Sequence, residues 1–332
     1  MVGRELTFAD AAIVKMARDE FVAVAGDDWY QRRRQDDEGK FFRSIADQGP
    51  RKGEGGSTRQ GIYMFTAGGK LLGYRNHHDP AVMRSAISQA LSAFRKLPAE
   101  ERRPNAVKID DPTKLDPTYH RQPPKGGLIV NVFTRILDRE EGGDFRTGTC
   151  SFPGGDKPAR DHLWLTAEEW RALIPAEPKK GQAVSPTAAL VWRLARFHLL
   201  DNTRGEPSAW PLEHLRKLDL KMIVGEVNDA GVTLKLQGTL LLSTAPNPAT
   251  ADRGYDVALL GYIHYNNAKK QIDRFDVVAL GEHWGEGRYT RGARPGRTPL
   301  GIAFELSRGD QGADRVAPQG ARVLKEYLQA EK

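Results

Sequence analysis

Residues 218–242 read LDLKMIVGEVNDAGVTLKLQGTLLL, a stretch that predicts two long β-strands joined by a tight turn. The turn is predicted at Asn228–Asp229–Ala230–Gly231, because asparagine, aspartate and glycine accept the backbone angles that tight turns require. Val257–Tyr265 and Gln271–Gly281 predict a second hairpin, with its turn at Asn266–Asn267–Ala268–Lys269. Consecutive hairpins build antiparallel sheets, so we expect such a sheet in this half of the chain.

Further predicted elements surround these hairpins: strands at Gly127–Leu137 and Leu300–Leu306, and helices at Thr166–Leu173, Ser185–Leu200 and Ala321–Ala330. Thr166 and Glu169 have the spacing of a capping box at a helix start. About five antiparallel strands are typical of a twisted sheet, a half-barrel or a sandwich. We therefore expect an α+β domain with a mainly antiparallel sheet over residues 127–308, and a tail with a terminal helix over residues 309–332.

The first hundred residues alternate between helices and strands, which indicates an α/β domain over residues 1–97. The predicted elements are helices at Phe8–Glu20, Gln31–Asp47 and Asp79–Leu97, a buried strand at Phe21–Ala25, and a hairpin within Gly61–Tyr74. Asp79 is suited to cap the third helix, and Pro80 to occupy its first turn. Residues 98–126 hold six prolines and almost no apolar side chain, which is typical of a linker between domains.

Residues 8–97 resemble the thioredoxin-like fold on two stretches. The first is Phe8–Ala9–Asp10–Ala11–Ala12–Ile13 followed by Phe21–Val22–Ala23–Val24, and the second is the hairpin Gly61–Gly73 with the helix after it. The resemblance implies a thioredoxin-like N-terminal domain. The opening strand of that fold is missing upstream, so either Gly127–Leu137 completes the sheet or the native chain begins earlier.

The same resemblance implies a Cys-x-x-Cys dithiol before the first helix and a cis-proline before the hairpin. Met1–Thr7 contains no cysteine, Gln60–Gly61 stand at the place of the proline, and Cys150 is the single cysteine of the chain. Thiol–disulfide exchange needs both an attacking and a resolving thiol. We therefore expect a redox-inactive scaffold. The alternative is a thioredoxin-type oxidoreductase whose Cys-bearing N-terminus is missing from this sequence.

The second half carries phrases that resemble uncharacterised bacterial proteins, in which they are joined to a thioredoxin-like module. These phrases are Ala195–His198, Asp201–Pro207 and Arg294–Gly301. The resemblance implies no activity. The polar loop Asp201–Pro207 either ends a helix or lines a cleft, and its asparagine, glycine and proline favour the helix end.

Four arginines are spaced by three residues in one loop: Arg288, Arg291, Arg294 and Arg297. In an extended backbone with three residues per turn, their guanidinium groups line one edge. Such groups bind phosphate, sulfate or carboxylate, so the loop predicts an anion-binding site for a small anionic ligand or a protein partner. The alternative is that the arginines hold the loop on the sheet through carbonyls and nearby acids, namely Asp273, Asp276 and Glu282.

A metal centre is a second hypothesis, with four candidate ligands around one hairpin: His264, Glu282, His283 and Glu286. Imidazole and carboxylate together suit zinc or iron, which would make the second domain a metal-dependent hydrolase or oxidoreductase. A covalent catalyst is a third, with Asp161–His162 beside Ser151 or Cys150. No serine has the surroundings of a nucleophile elbow, so no catalytic motif is identified.

The 332 residues carry 50 lysines and arginines against 43 acids, a net charge of +7. Most basic residues stand beside acids, which indicates an ordinary surface rather than a nucleic-acid binder. No apolar run reaches the ~18 residues of a membrane span, and the first residues do not resemble a signal peptide. We expect a soluble binding or interaction protein without a cofactor, cytoplasmic as given, or secreted or periplasmic if a leader was removed.

Overall fold

The computed structural model describes residues 7–53, 57–104, 113–146 and 157–329. The chain divides into two compact units, Gly3–Arg121 and Gln122–Lys332. The division therefore lies inside the proline-rich stretch, most of which belongs to the first unit. In that stretch, Ala99–Arg102 form a short 3-10 helix.

The first unit is built from short helices and one small antiparallel hairpin. Its helices are α1 (Ala11–Glu20), α2 (Asp28–Gln31), α3 (Asp37–Ala46) and α4 (Pro80–Arg95), and its strands are β1 (Ile62–Phe65) and β2 (Leu71–Arg75). The predicted hairpin and the predicted start of α4 are confirmed, since the Asp79 carboxylate accepts hydrogen bonds from the backbone N–H groups of Ala81 and Val82. Apolar side chains of α1, β1 and α4 form the core of this unit.

Phe21–Ala25 is not the buried strand that the sequence predicts. The side chains of Val22 and Val24 are 94% and 83% exposed, and no described strand pairs with this segment. Valine favours a strand locally, but a strand also needs a neighbour for its backbone hydrogen bonds. Gly127–Leu137, the other candidate for this sheet, lies in the sheet of the second unit. The thioredoxin-like fold stays a prediction.

The predicted helix Gln31–Asp47 is interrupted between Arg32 and Asp36. The Asp36 carboxylate accepts the backbone N–H of Gly39 at 3.1 Å and forms an ion pair with Arg34 at 2.6 Å. An aspartate that bonds to the nearby backbone competes with helical hydrogen bonds. Asp36 therefore caps α3 and does not continue α2.

The described part of the second unit contains an eight-stranded antiparallel sheet with the order β4-β3-β10-β9-β8-β7-β6-β5. Its strands are β3 (Leu128–Ile136), β4 (Ala159–Leu165), β5 (Ala183–Val184), β6 (Leu215–Asn228), β7 (Gly231–Ser243), β8 (Gly254–Asn266), β9 (Gln271–Trp284) and β10 (Thr298–Leu306). The two long hairpins and the strands β3 and β10 confirm predicted elements. The sequence does not predict β4, because Arg160–His162 place three polar residues in a seven-residue strand.

The turn between β6 and β7 forms where the sequence predicts it. The Asn228 side chain accepts hydrogen bonds from the backbone N–H groups of Ala230 and Gly231 at 3.0 and 3.1 Å. Glycine is required at position 231, because a Cβ atom there would lie 1.9 Å from the carbonyl oxygen of Tyr265.

Three helices accompany this sheet: α5 (Ala167–Ala172), α6 (Ala188–Arg193) and α7 (Leu324–Gln329). The predicted capping box of α5 is confirmed. The predicted helix Ser185–Leu200 begins only at Ala188, because Thr187 caps it, and it continues after Arg193 as a π-helical turn, Leu194–His198. A bilayer crossing takes about 20 mostly apolar helical residues. None of the described helices meets that requirement.

Candidate functional site

A cavity of about 200 Å³ lies in the second unit between the sheet and the C-terminal segment. The sheet contributes Thr134 of β3 and Asp161 of β4, and the π-helical turn contributes His198. The loop after that turn contributes Asn202, and residues 319–326 supply the opposite wall. The cavity therefore joins residues from four separate parts of the chain.

His198 is buried at the cavity, and the Tyr327 hydroxyl fixes its orientation. Nε2 of His198 lies 2.9 Å from the Tyr327 hydroxyl oxygen, which also accepts the backbone N–H of Trp164 at 3.2 Å. This bond fixes the ring whichever of the two atoms carries the proton, and it leaves Nδ1 facing the cavity. Burial lowers the pKa of His198 to about 3, and the charge of Arg193 contributes to this shift. The imidazole is therefore neutral at pH 7.

The Asp161 carboxylate faces this neutral imidazole. Its Oδ2 atom lies 3.6 Å from Nδ1 of His198, and its Oδ1 atom accepts the backbone N–H of Gln319 at 3.1 Å. Among the described residues, no lysine or arginine pairs with this carboxylate. Burial raises the pKa of Asp161 to about 6, although the backbone N–H groups of His162 and Gln319 and the charge of Arg322 act against the shift. Asp161 is thus mostly ionised at pH 7 and able to accept a proton or a hydrogen bond.

Two polar atoms that the π-helical turn and the loop after it contribute to the cavity have no hydrogen-bond partner among the described residues. They are Nδ1 of His198 and Oδ1 of Asn202, and both are buried. Buried polar atoms in proteins nearly always have a partner, which can be a water or a ligand. These two atoms therefore mark the cavity as a place for a polar occupant.

Buried arginines hold the C-terminal segment against the π-helical turn. Arg193 forms a bidentate ion pair with Glu169 at 2.7 Å and donates to the backbone oxygens of Trp164 and Tyr327. Arg196 donates to the backbone oxygen of Trp210 and pairs with Glu326 at 2.6 Å. These contacts position Tyr327, and Tyr327 in turn positions His198. The segment Ala195–His198 is identifiable in the sequence, but the residues that this segment contacts in the fold are not.

The pairing of Asp161 with His162 that the sequence suggests does not occur at the cavity. Successive residues of a strand point to opposite faces. Asp161 lines the cavity and His162 does not, so the histidine beside Asp161 is His198. Ser151 and Cys150 lie outside the described residues.

The four arginines of the predicted anion site make different contacts. Arg294 donates to the backbone oxygens of Leu137 and Pro299 and pairs with Asp138 at 2.8 Å. Arg297 stacks on the Trp284 ring at 4.0 Å, Arg288 lies over the Tyr289 ring at 5.2 Å, and Arg291 is exposed. The nearby acids have other partners: Asp273 binds His264, Asp276 binds Arg274 and Glu282 binds Arg139. Anion binding at this loop stays a prediction.

The four candidate metal ligands are not brought together. His264 bonds to Asp273 at 2.6 Å near the β8–β9 turn and is in register with Arg274. His283 follows Arg274 by nine residues along β9, which places it roughly 30 Å away. Glu286 accepts the backbone N–H groups of Gly292 and Ala293. In the part of the chain that the structure describes, no group of three such side chains is suited to hold a metal ion.

The loop Asp201–Pro207 lies after the π-helical turn, whose C-cap is Leu199, and it lines cavities. Asp201 is buried, accepts the Thr203 backbone N–H at 2.9 Å and pairs with Arg204 at 2.7 Å. Arg204 donates to the backbone oxygens of Gly285 and Thr290. Burial lowers the pKa of the neighbouring His283 to about 4. This polar network surrounds a void of about 10 Å³, which is room for one water.

No family model, curated protein or solved structure matches this chain.

Proposed function

We propose that residues 122–332 form a small-molecule binding domain and that the cavity at Asp161 and His198 is its binding site. The observation that carries this proposal is the buried Nδ1 atom of His198, whose ring is fixed by Tyr327 and which has no hydrogen-bond partner among the described residues. An occupant of the cavity supplies that partner. A dry cavity of about 150 Å³ holds benzene. A cavity of about 200 Å³ therefore has room for a slightly larger polar molecule.

The test is a ligand-observed NMR screen of small polar fragments against the full chain and two variants. Ala209→Phe fills the cavity, since Ala209 lines it, whereas Ala258→Phe adds the same ring at an exposed position of β8. We expect fragments that bind the wild type and Ala258→Phe to lose binding to Ala209→Phe. Equal binding to both variants would contradict the placement of the site. Thermal unfolding of each variant establishes that it is folded.

A second candidate function is acid–base catalysis in the same cavity. Asp161 is a carboxylate of raised pKa beside His198, and His198 is bonded to Tyr327, an arrangement that can accept a substrate proton. Among the described residues that line the cavity, only Thr134 has a side-chain hydroxyl. We expect Asp161→Asn to abolish turnover of a substrate that still binds. Unchanged turnover would exclude Asp161 as the base.

For the first unit, we propose a redox-inactive thioredoxin-like scaffold. The single cysteine of the chain is Cys150, which lies outside residues 3–121, so this unit holds no thiol pair for exchange. The full chain is expected not to accelerate the reduction of insulin by dithiothreitol. Acceleration by the Cys150→Ala variant above the rate of dithiothreitol alone would overturn this proposal.

A further inference from the structure

The charges at the cavity wall are balanced with one exception. Arg322 pairs with Glu206 at 2.8 Å, and Glu326 pairs with Arg196 at 2.6 Å. Asp161 is the remaining charged side chain of the described wall. It accepts the backbone N–H of Gln319, is also stabilised by the backbone N–H of His162, and faces the neutral His198. At neutral pH the wall therefore carries one negative charge that no cationic side chain of the described residues pairs with.

An ionised carboxylate in a site shielded from water is costly unless a partner charge or several hydrogen bonds compensate it. Here the backbone N–H groups of Gln319 and His162 and the charge of Arg322 stabilise the ionised form, but Oδ2 has no partner within hydrogen-bond distance among the described residues. Asn202 adds a second buried acceptor atom, Oδ1, without a described donor. Two acceptor atoms without described donors are suited to bind an ammonium group, which carries three N–H donors and one positive charge.

The rest of the wall suits a short hydrocarbon body. Phe197, Leu200, Ala209 and Val323 line the cavity with apolar surface. Small-molecule sites combine mostly apolar walls with a few polar groups that orient the ligand. An amine with a compact apolar body matches both parts of this wall.

We propose that the cavity binds a small organic cation, with its ammonium group on Asp161 and Asn202 and its hydrocarbon body against Phe197 and Leu200. This inference rests on the proposed binding function. Two probes of nearly equal shape test it: benzylammonium, which carries the charge, and benzyl alcohol, which does not. Their rings match the size of the cavity by comparison with benzene.

Binding of both probes to the full chain is measured by isothermal titration calorimetry at pH 7.5. We expect benzylammonium to bind at least about tenfold more tightly than benzyl alcohol, and Asp161→Asn to remove that difference while leaving the alcohol unaffected. The matched control is Asp256→Asn, which changes an exposed aspartate of β8 and is expected to keep the wild-type preference. The amide oxygen introduced by Asp161→Asn can still accept the Gln319 N–H, so this variant is expected to fold.

The outcomes separate this inference from the function on which it rests. If both probes bind equally, or if Asp161→Asn keeps the preference, the cation inference is wrong. The binding function then still stands, provided that Ala209→Phe blocks the alcohol. If neither probe binds, the cation inference is wrong, and the fragment screen against Ala209→Phe alone decides the binding function.

Discussion

Nδ1 of His198 and Oδ2 of Asp161 lie 3.6 Å apart, too far for a hydrogen bond, although the two side chains face each other and are only 0% and 13% exposed. The imidazole uses its other nitrogen for Tyr327, at 2.9 Å. The carboxylate and the imidazole are therefore neighbours without being an ion pair, and each retains bonding capacity toward the cavity.

Removal of the Tyr327 hydroxyl is expected to destabilise the second unit. Tyr327→Phe leaves the backbone N–H of Trp164 and Nε2 of His198 without a partner in a buried place. Each unsatisfied buried group costs about 1–3 kcal/mol. Urea unfolding should show this loss in Tyr327→Phe, whereas Tyr262→Phe, at a half-exposed position on β8, should change the free energy of unfolding by less than about 0.5 kcal/mol. Equal effects would contradict the role of the Tyr327 hydroxyl.

The buried ion pair between Glu169 and Arg193 is expected to be essential for the docking of α7. Glu169→Gln keeps a capping-box residue but leaves the fully buried Arg193 charge uncompensated. We expect a loss of about 3–5 kcal/mol in the free energy of unfolding. Glu168→Gln is the matched control, because Glu168 is exposed on the same helix. A similar result for the two variants would show that the ion pair does not stabilise the fold.

Asp161 is expected to make stability depend on pH in a defined direction. Its pKa is raised to about 6 in the folded chain, against about 3.9 in the unfolded chain. The folded state therefore binds the proton more tightly, so this contribution is present below pH 4 and is lost as the pH rises through 6. The loss amounts to at most about 3 kcal/mol.

The measurement is the difference in unfolding free energy between Asp161→Asn and the wild type at pH 4 and pH 7.5. We expect the difference to shift in favour of Asp161→Asn by about 2 kcal/mol at the higher pH. His198, His162 and Arg322 are present in both proteins, so their titration largely cancels. A difference that is constant with pH would contradict the raised pKa.

Anion binding at the loop that contains Arg288, Arg291, Arg294 and Arg297 has its own test. Phosphate is expected to raise the melting temperature of the wild type, and Arg291→Ala combined with Arg294→Ala is expected to abolish that rise. Arg294 also holds Asp138 and two carbonyls, so the double variant starts from a lower melting temperature. The relevant quantity is the rise caused by phosphate. A rise of the same size in the double variant would exclude these two residues.

Local patterns predict much of the sheet because hairpins are local structures. The turn at Asn228–Gly231 and the strands on both sides follow from adjacent residues, as do the caps at Asp79 and Thr166. The predicted strand Phe21–Ala25 does not form for the complementary reason: its residues favour a strand, but no described strand lies beside it to pair with.

The cavity is not predictable from sequence because its residues meet only through tertiary packing. His198 and Tyr327 are 129 residues apart, and their contact depends on the buried Arg193. The sequence offers signals for single members, such as the phrase Ala195–His198, but none for the combination. The predicted association of Asp161 with His162 is wrong, because adjacent residues of a strand point to opposite faces.

Residues 319–329, which close the cavity, are synthesised after every strand of the described sheet. A nascent chain that has left the ribosome only as far as β10 has all eight strands available but no Tyr327 to fix His198. Binding at the proposed site therefore requires that residues 319–329 have been translated. A product truncated before Gln319 would retain the strands of the sheet and lack this wall of the proposed site.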